Sequence, residues 1–220
     1  KKLAEDVYQL SLFPFSSINA YLADGILIDA GVRWNRKQIL GSLKGFDVTA
    51  HALTHAHGDH QGSSHFICEE LDIPFWVGRA DAEAAVTGRI VDTYRNPGHW
   101  FSRFQDKFWV GPGHPVDREL KEGDKIGNFE VIETPGHSKG HISFWRQKDR
   151  VLIVGDVLMS ANPFTMIPGL QLPLEIFTPD MDVNIASAKK LATLEPELIC
   201  FGHGPPMSDT RRFVDFCKLF

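Results

Sequence analysis

The sequence is poor in cysteine. Only Cys68, Cys200 and Cys217 occur among its 220 residues, an odd and scattered set without a C-x-x-C pair. That excludes the disulfide framework of a small secreted domain and reads as a reduced protein. No apolar run approaches the length needed to cross a bilayer, so no membrane-spanning role is expected. The opening Lys1-Lys2-Leu3-Ala4-Glu5-Asp6 carries charge but lacks the apolar centre of a signal peptide. These absences together make a cytoplasmic location the expectation. Basic clusters are missing too: the formal charge is −5 with mixed signs, whereas a nucleic-acid surface needs clustered Lys and Arg. No linker-like stretch divides the chain, so one domain over 1–220 is expected, and 43% hydrophobic residues suffice for a sizeable core.

What the sequence does have is a concentration of metal-ligand chemistry. His55-Ala56-His57-Gly58-Asp59-His60 packs three imidazoles and a carboxylate into one short stretch. Neutral imidazole and carboxylate are the usual ligands of Zn²⁺ and also suit iron and manganese. A solvated surface loop has no reason to collect them at this spacing. Three further ligand-type residues each end an apolar run: His137 after 129–134, Asp156 after 151–154, and His203 after 198–201. Strands that end in ligands describe a site at one rim of a sheet.

The rest of the chain reads as an alternation of strands and helices. Short strands are expected over 7–12, 18–22, 26–29, 48–53 and 74–77, and helices over 35–43, 63–71 and 80–85. A β meander follows over 121–150, then a buried strand over 151–154, a helix over 182–194 with Asp180 or Asp182 near its cap, a last strand over 198–201 and a closing helix over 211–219. Alternation on this scale implies a layered α/β protein. Two segments break it. Residues 88–115 are rich in aromatics, and their side chains either pack this insertion onto the body or wall a pocket for an apolar substrate. His99 and His114 lie in that segment and read as ordinary polar residues. Residues 160–180 carry Pro163, Pro168, Pro173 and Pro179 among apolar side chains, which predicts a stiff loop without regular strand or helix.

The motifs His55-x-His57-x-Asp59-His60, Pro135-Gly136-His137-Ser138-Lys139-Gly140-His141, Gly155-Asp156 and Gly202-His203-Gly204 resemble the metallo-β-lactamase superfamily, most of all its glyoxalase II-like hydrolases. The resemblance runs from about Ile18 to Pro206 and fills all seven metal-ligand positions of the family. It implies a four-layer αβ/βα sandwich and two divalent cations, with zinc the first expectation and iron or manganese also suited. His55, His57 and His137 would then hold one cation, Asp59, His60 and His203 the other, and Asp156 would be shared. A hydroxide bridging the two would attack a carbonyl carbon, with Asp59 or a metal-bound water returning a proton to the leaving group. His141 is at most a residue that orients a ligand. The implied substrate is a small molecule, a thioester, ester or lactone with an apolar part. Lactonases of the superfamily often carry a tyrosine just after the bridging aspartate, where Val157-Leu158-Met159 stand here. The best-known β-lactamases have a cysteine in place of Asp156, which argues against antibiotic degradation. The alternative within the superfamily is a persulfide dioxygenase, holding one iron through the equivalents of His55, His137 and Asp156.

Overall fold

The computed structural model describes residues 1–220. Its first half is a seven-stranded sheet of β1 (Lys2–Ala4), β2 (Val7–Ser11), β3 (Asn19–Ala23), β4 (Ile26–Ile28), β5 (Ala50–Ala52), β6 (Phe75–Gly78) and β7 (Arg118–Leu120), in that spatial order. The first four strands pair antiparallel, β1 with β2 and β3 with β4 through two-residue turns and β2 with β3 through the longer loop 12–18, and β4 to β7 run parallel. Each parallel step is bridged by helix, as such crossovers require: α1 (Arg36–Ser42) after β4; α2 (Gly58–Gln61) and α3 (Ser64–Leu71) after β5; α4 (Ala82–Thr87) and α5 (Trp100–Phe108) after β6.

The second sheet begins with β8 (Lys125–Ile126), β9 (Phe129–Glu133), β10 (Ile142–Arg146) and β11 (Val151–Gly155), all antiparallel. A hairpin of β12 (Met159–Ala161) and β13 (Pro168–Gln171) and helix α6 (Met181–Ala192) then return the chain to β14 (Leu198–Phe201), which lies parallel to β11. The chain closes with α7 (Thr210–Cys217).

Period-two alternation decides which side chains meet. On β10 and β11, Ile142, Phe144, Val151 and Ile153 face Tyr21, Ile26, Ile28 and Ala52 of the first sheet, forming the central core. Their neighbours Trp145, Leu152 and Val154 face the other way and pack on Ala188 and Leu191 of α6 and Phe213 of α7. Across the molecule, Leu22 and Leu27 pack outward on Ile39 of α1 and Ile67 of α3. Both faces of each sheet are covered, which is why several strands read as continuous apolar runs. The result is the expected αβ/βα sandwich. Cys200 sits in the central core as a small apolar residue.

Two expectations need correction. The 88–115 segment is not irregular throughout: Trp100–Phe108 is a helix, capped by the His99 ring, which accepts from the Phe101 amide. Phe101, Phe104, Gln105 and Phe108 recur at helical spacing. The proline-rich stretch 160–180 does contain strand. Ala161 pairs with Pro168, which begins β13 at the position where a missing N–H costs a strand least.

Candidate metal centre

All seven expected ligand residues converge at one rim of the sandwich. The segment after β5 leads extended through His55 and His57 into α2, a fully buried turn of helix carrying Asp59 and His60. His137 comes from the loop between β9 and β10, Asp156 follows β11, and His203 follows β14. The donor atoms fall into three overlapping groups whose members lie within 4.8 Å of one another: His55, His57 and His137; Asp59, His60 and His203; and, between them, His55, His60 and Asp156. Asp156 Oδ2 stands 3.0 Å from His203 Nε2, 3.5 Å from His60 Nε2 and 3.6 Å from His137 Nε2.

Hydrogen bonds to the opposite ring nitrogen aim four of the five imidazoles. His55 Nδ1 donates to Thr54 Oγ1 (3.0 Å), His60 Nδ1 to Asp29 Oδ2 (2.9 Å), His137 Nδ1 to Thr178 Oγ1 (3.0 Å), and His203 Nδ1 to the Ser17 carbonyl. The Thr54 and Thr178 hydroxyls donate onward to Asp29 and to the Leu174 carbonyl, which leaves their oxygens free to accept from the rings. Each of these bonds leaves the ring's Nε2 turned inward, the atom through which a neutral imidazole binds a metal. His55, His57, His60 and His137 each bury an Nε2 that has no partner, and Asp156 Oδ1 has none either. Four bare nitrogens and a bare carboxylate oxygen at one point would be costly in a finished apolar core. They are what a cation would satisfy, so the donor set fits the implied metal.

Electrostatics divide the site. Burial and neighbouring imidazoles hold His55 and His57 well below the usual histidine range, and burial brings His137 down to about 4. These three rings are neutral at physiological pH. At His60 and His203 burial acts in the same direction but is outweighed by Asp156, helped by Asp29 and Asp59 respectively. His60 is pushed well up and His203 to about 10. Asp156 itself is held well below the carboxylate range because His203 and His60 overcome its burial. The protons on those two rings occupy the positions a cation would take.

Several residues around the ligands have no local sequence signature. Asp29, just past β4, accepts from the Thr54 amide and hydroxyl as well as from His60. Asp81 accepts from the Ala56 amide, the Ser138 hydroxyl and the Gly140 amide, tying the His55 loop to the His137 loop, and its burial pushes its pKa up. His141 stands beside the ligands without joining them. Its Nδ1 bonds Thr134 and its Nε2 accepts the Asp156 amide at 3.0 Å, so it holds the backbone that presents Asp156. Ser138 is buried on Asp81, and Lys139 is exposed.

A cavity of about 330 Å³ opens over the centre, with His57, Asp59, His137, Asp156 and His203 at its floor. Both segments left open by the sequence contribute to its walls, Tyr94, Phe101, Gln105 and Trp109 from one and Pro163, Phe164, Met166, Leu174 and Phe177 from the other. No Lys or Arg lines it. Tyr94 places its ring edge-on to His57, and its phenol oxygen accepts the Gly58 amide at 3.3 Å. Burial, with Asp59 nearby, raises the phenol pKa and keeps it protonated. Gln105 is buried in the wall with its side-chain oxygen unpartnered.

Comparison with known proteins agrees with this geometry. Residues 14–203 match the metallo-beta-lactamase superfamily. A probable metallo-hydrolase of Bacillus subtilis (strain 168), YflN, is 32% identical over 213 residues, covering 88% of this chain and 80% of that protein. A hydroxyacylglutathione hydrolase of Cereibacter sphaeroides is 31% identical over 173 residues, covering 76% of this chain but 53% of its own length. Among solved structures, the BLEG-1 B3 metallo-beta-lactamase superposes with a TM-score of 0.73 at 27% identity, over 95% of this chain and 96% of that one. The fold, the converging donors and these matches together make this chain a member of the metallo-beta-lactamase superfamily, with a histidine–aspartate cluster suited to divalent metal.

Proposed function

We propose that the chain is a binuclear metal-dependent hydrolase of uncharged carbonyl substrates with an apolar part: thioesters, esters or lactones. The observation that carries this reading is the position of Asp156. One of its oxygens lies within 3.0 to 3.6 Å of ring nitrogens from both groups of three ligands, at the floor of an apolar cavity. His55, His57 and His137 would hold one cation, Asp59, His60 and His203 the other, and Asp156 both. Zinc, iron and manganese all suit this donor set. When bound, such cations supply Lewis acidity, lowering the pKa of water from 15.7 to roughly 7 and polarising a carbonyl.

The chain's own residues do the rest. Asp59 is the carboxylate at the cavity floor that His203 and His60, against its burial, keep low in pKa. Standing there, it is placed to take a proton from the nucleophile and return it to the leaving group. The Tyr94 hydroxyl, fixed at its oxygen by Gly58, keeps its hydrogen free to donate to the substrate's carbonyl oxygen as negative charge develops there. Phe101, Trp109, Phe164 and Phe177 exclude water and receive the acyl part. With no cationic side chain in the lining, the carboxylates of a glutathione conjugate would find no partner, so this reading departs from the substrate of the Cereibacter relative.

The test is a panel of acyl thioesters, esters, lactones, β-lactams and phosphodiesters assayed on metal-loaded protein, with Asp156→Ala and His55→Ala alongside. Turnover of the apolar carbonyl substrates, abolished in both variants together with metal content, is expected. Full activity in metal-stripped protein would refute the proposal. The dioxygenase alternative needs only one iron, which leaves Asp59, His60 and His203 without a purpose. Oxygen consumption with a single iron per chain would nevertheless favour it over hydrolysis.

A further inference from the structure

Three histidines of the chain take no part in the cavity floor, its supports or the core: His65, His99 and His114. His99 caps a helix. The other two face each other across the surface of the aromatic segment. His65 Nδ1 lies 3.1 Å from His114 Nδ1, and Glu69 Oε1 lies 3.7 Å from the same His114 nitrogen. The three donor atoms lie within 4.8 Å of one another. His65 and Glu69 are four residues apart on α3, hence on one face of the helix. His114 arrives from the loop between α5 and β7.

We propose that His65, Glu69 and His114 form a second metal site, one that takes a single divalent transition cation such as Zn²⁺, Ni²⁺ or Co²⁺. Two imidazoles and a carboxylate are a donor set for these ions, which bind N and O ligands in preference to alkaline-earth cations' all-oxygen cages. Ligands about 2.1 Å from a tetrahedral cation stand roughly 3.4 Å apart, and the observed 3.1 and 3.7 Å bracket that spacing. The site is partly built in advance. His114 is 8% exposed, its amide donates to the Ala85 carbonyl, and its ring packs edge-on against Phe75. His65 is half-buried, so only Glu69 must give up solvent freedom. The two facing nitrogens can share a proton, and a cation between them would displace it.

The position gives the site a consequence. The residues leading up to His114 carry Gln105 and Trp109 of the cavity wall, and α3 directly follows the helical turn that bears Asp59 and His60. A cation at His65, Glu69 and His114 would pin the wall segment to the helix behind the catalytic ligands. It would stabilise the fold without entering the reaction.

The experiment uses the full chain with its main centre loaded, freed of weakly held metal and titrated with Zn²⁺, and separately with Co²⁺ followed by its visible absorption. Wild type is expected to take up one equivalent more per chain than His65→Ala, with Glu69→Gln binding that equivalent more weakly. The added equivalent should raise the melting temperature of wild type and not of His65→Ala. Both substitutions are at the surface, and neither should change turnover. Equal uptake by wild type and His65→Ala, or no further uptake by wild type at millimolar Zn²⁺, would overturn the proposal. Because the readout is the difference between surface variants, it is independent of which substrate the main centre hydrolyses.

Discussion

A histidine in this chain is a ligand candidate or a core residue according to how many of its nitrogens are satisfied. His51 and His141 are buried among the same strands as the ligands, yet both ring nitrogens of each are engaged, those of His51 by Leu27 and Ser64. Burial brings His51 down to about 4, well under the 6.5 of an exposed imidazole. The unfolded chain therefore binds a proton here that the native chain does not, at every pH between those values. Stability is untouched by His51 above pH 6.5 and falls as pH drops toward 4, by roughly 3 kcal/mol over that window. His51→Gln should flatten this part of the acid limb, measured as urea midpoints at pH 7 and pH 5. An unchanged pH slope would show that His51 does not titrate as described. Tyr94→Phe removes a neutral donor beside the floor while leaving the ring in place against His57. It should lower kcat by roughly a hundredfold to a thousandfold, the scale of a lost oxyanion donor, with metal content unchanged by elemental analysis.

At the scale of elements, the site is a set of strand ends, and this explains what the sequence disclosed. His55 to His60 are neighbours in the chain, and His137, Asp156 and His203 each end an apolar run, so their convergence was legible before any coordinates. Asp29 and Asp81 were not. An orienting carboxylate acts through contacts 25 to 59 residues away, and no local pattern marks it. Helix α5 was hidden because its helical spacing sits between Asn-Pro-Gly and Gly-Pro-Gly, which read as loop. The β12–β13 hairpin was hidden because its proline is the first residue of a strand, a position where proline is tolerated. The strand ends also carry steric requirements. Gly155 has φ +60, and a Cβ there would meet the His141 ring at 2.6 Å. A Cβ on Gly202 would come within 2.0 Å of Asp156 Oδ1 and 2.8 Å of the His60 ring. Gly202→Ala should therefore cost both metal and stability, about 1 to 3 kcal/mol by the usual penalty of overpacking, seen as a lower urea midpoint and reduced metal content.

The whole molecule is two sheets with helices outside and the seven donor side chains on one rim, and in the proposed function what covers that rim chooses the substrate. Phe13 and Ile18 before β3, the α5 segment and the β12–β13 hairpin together make a cavity whose walls are aromatic and aliphatic, with Ser17 and Gln105 the polar exceptions. The unpartnered Gln105 side-chain oxygen is suited to a donor group within an otherwise apolar acyl chain. Rates across an acyl series should accordingly rise with chain length, mainly through KM, at about 0.8 kcal/mol for each buried methylene until the cavity is filled. Phe177→Ala should erase part of that gain. A series with no length dependence would mean that the acyl part binds elsewhere.

The central claim is that seven side chains enclose a pair of cations, with Asp156 shared between them. Anomalous diffraction at the metal edge from crystals of the loaded protein tests it most directly. The account predicts two peaks inside the cluster, one bounded by His55, His57 and His137, the other by Asp59, His60 and His203, with an Asp156 oxygen on both. A single peak, or none among these residues, would contradict it.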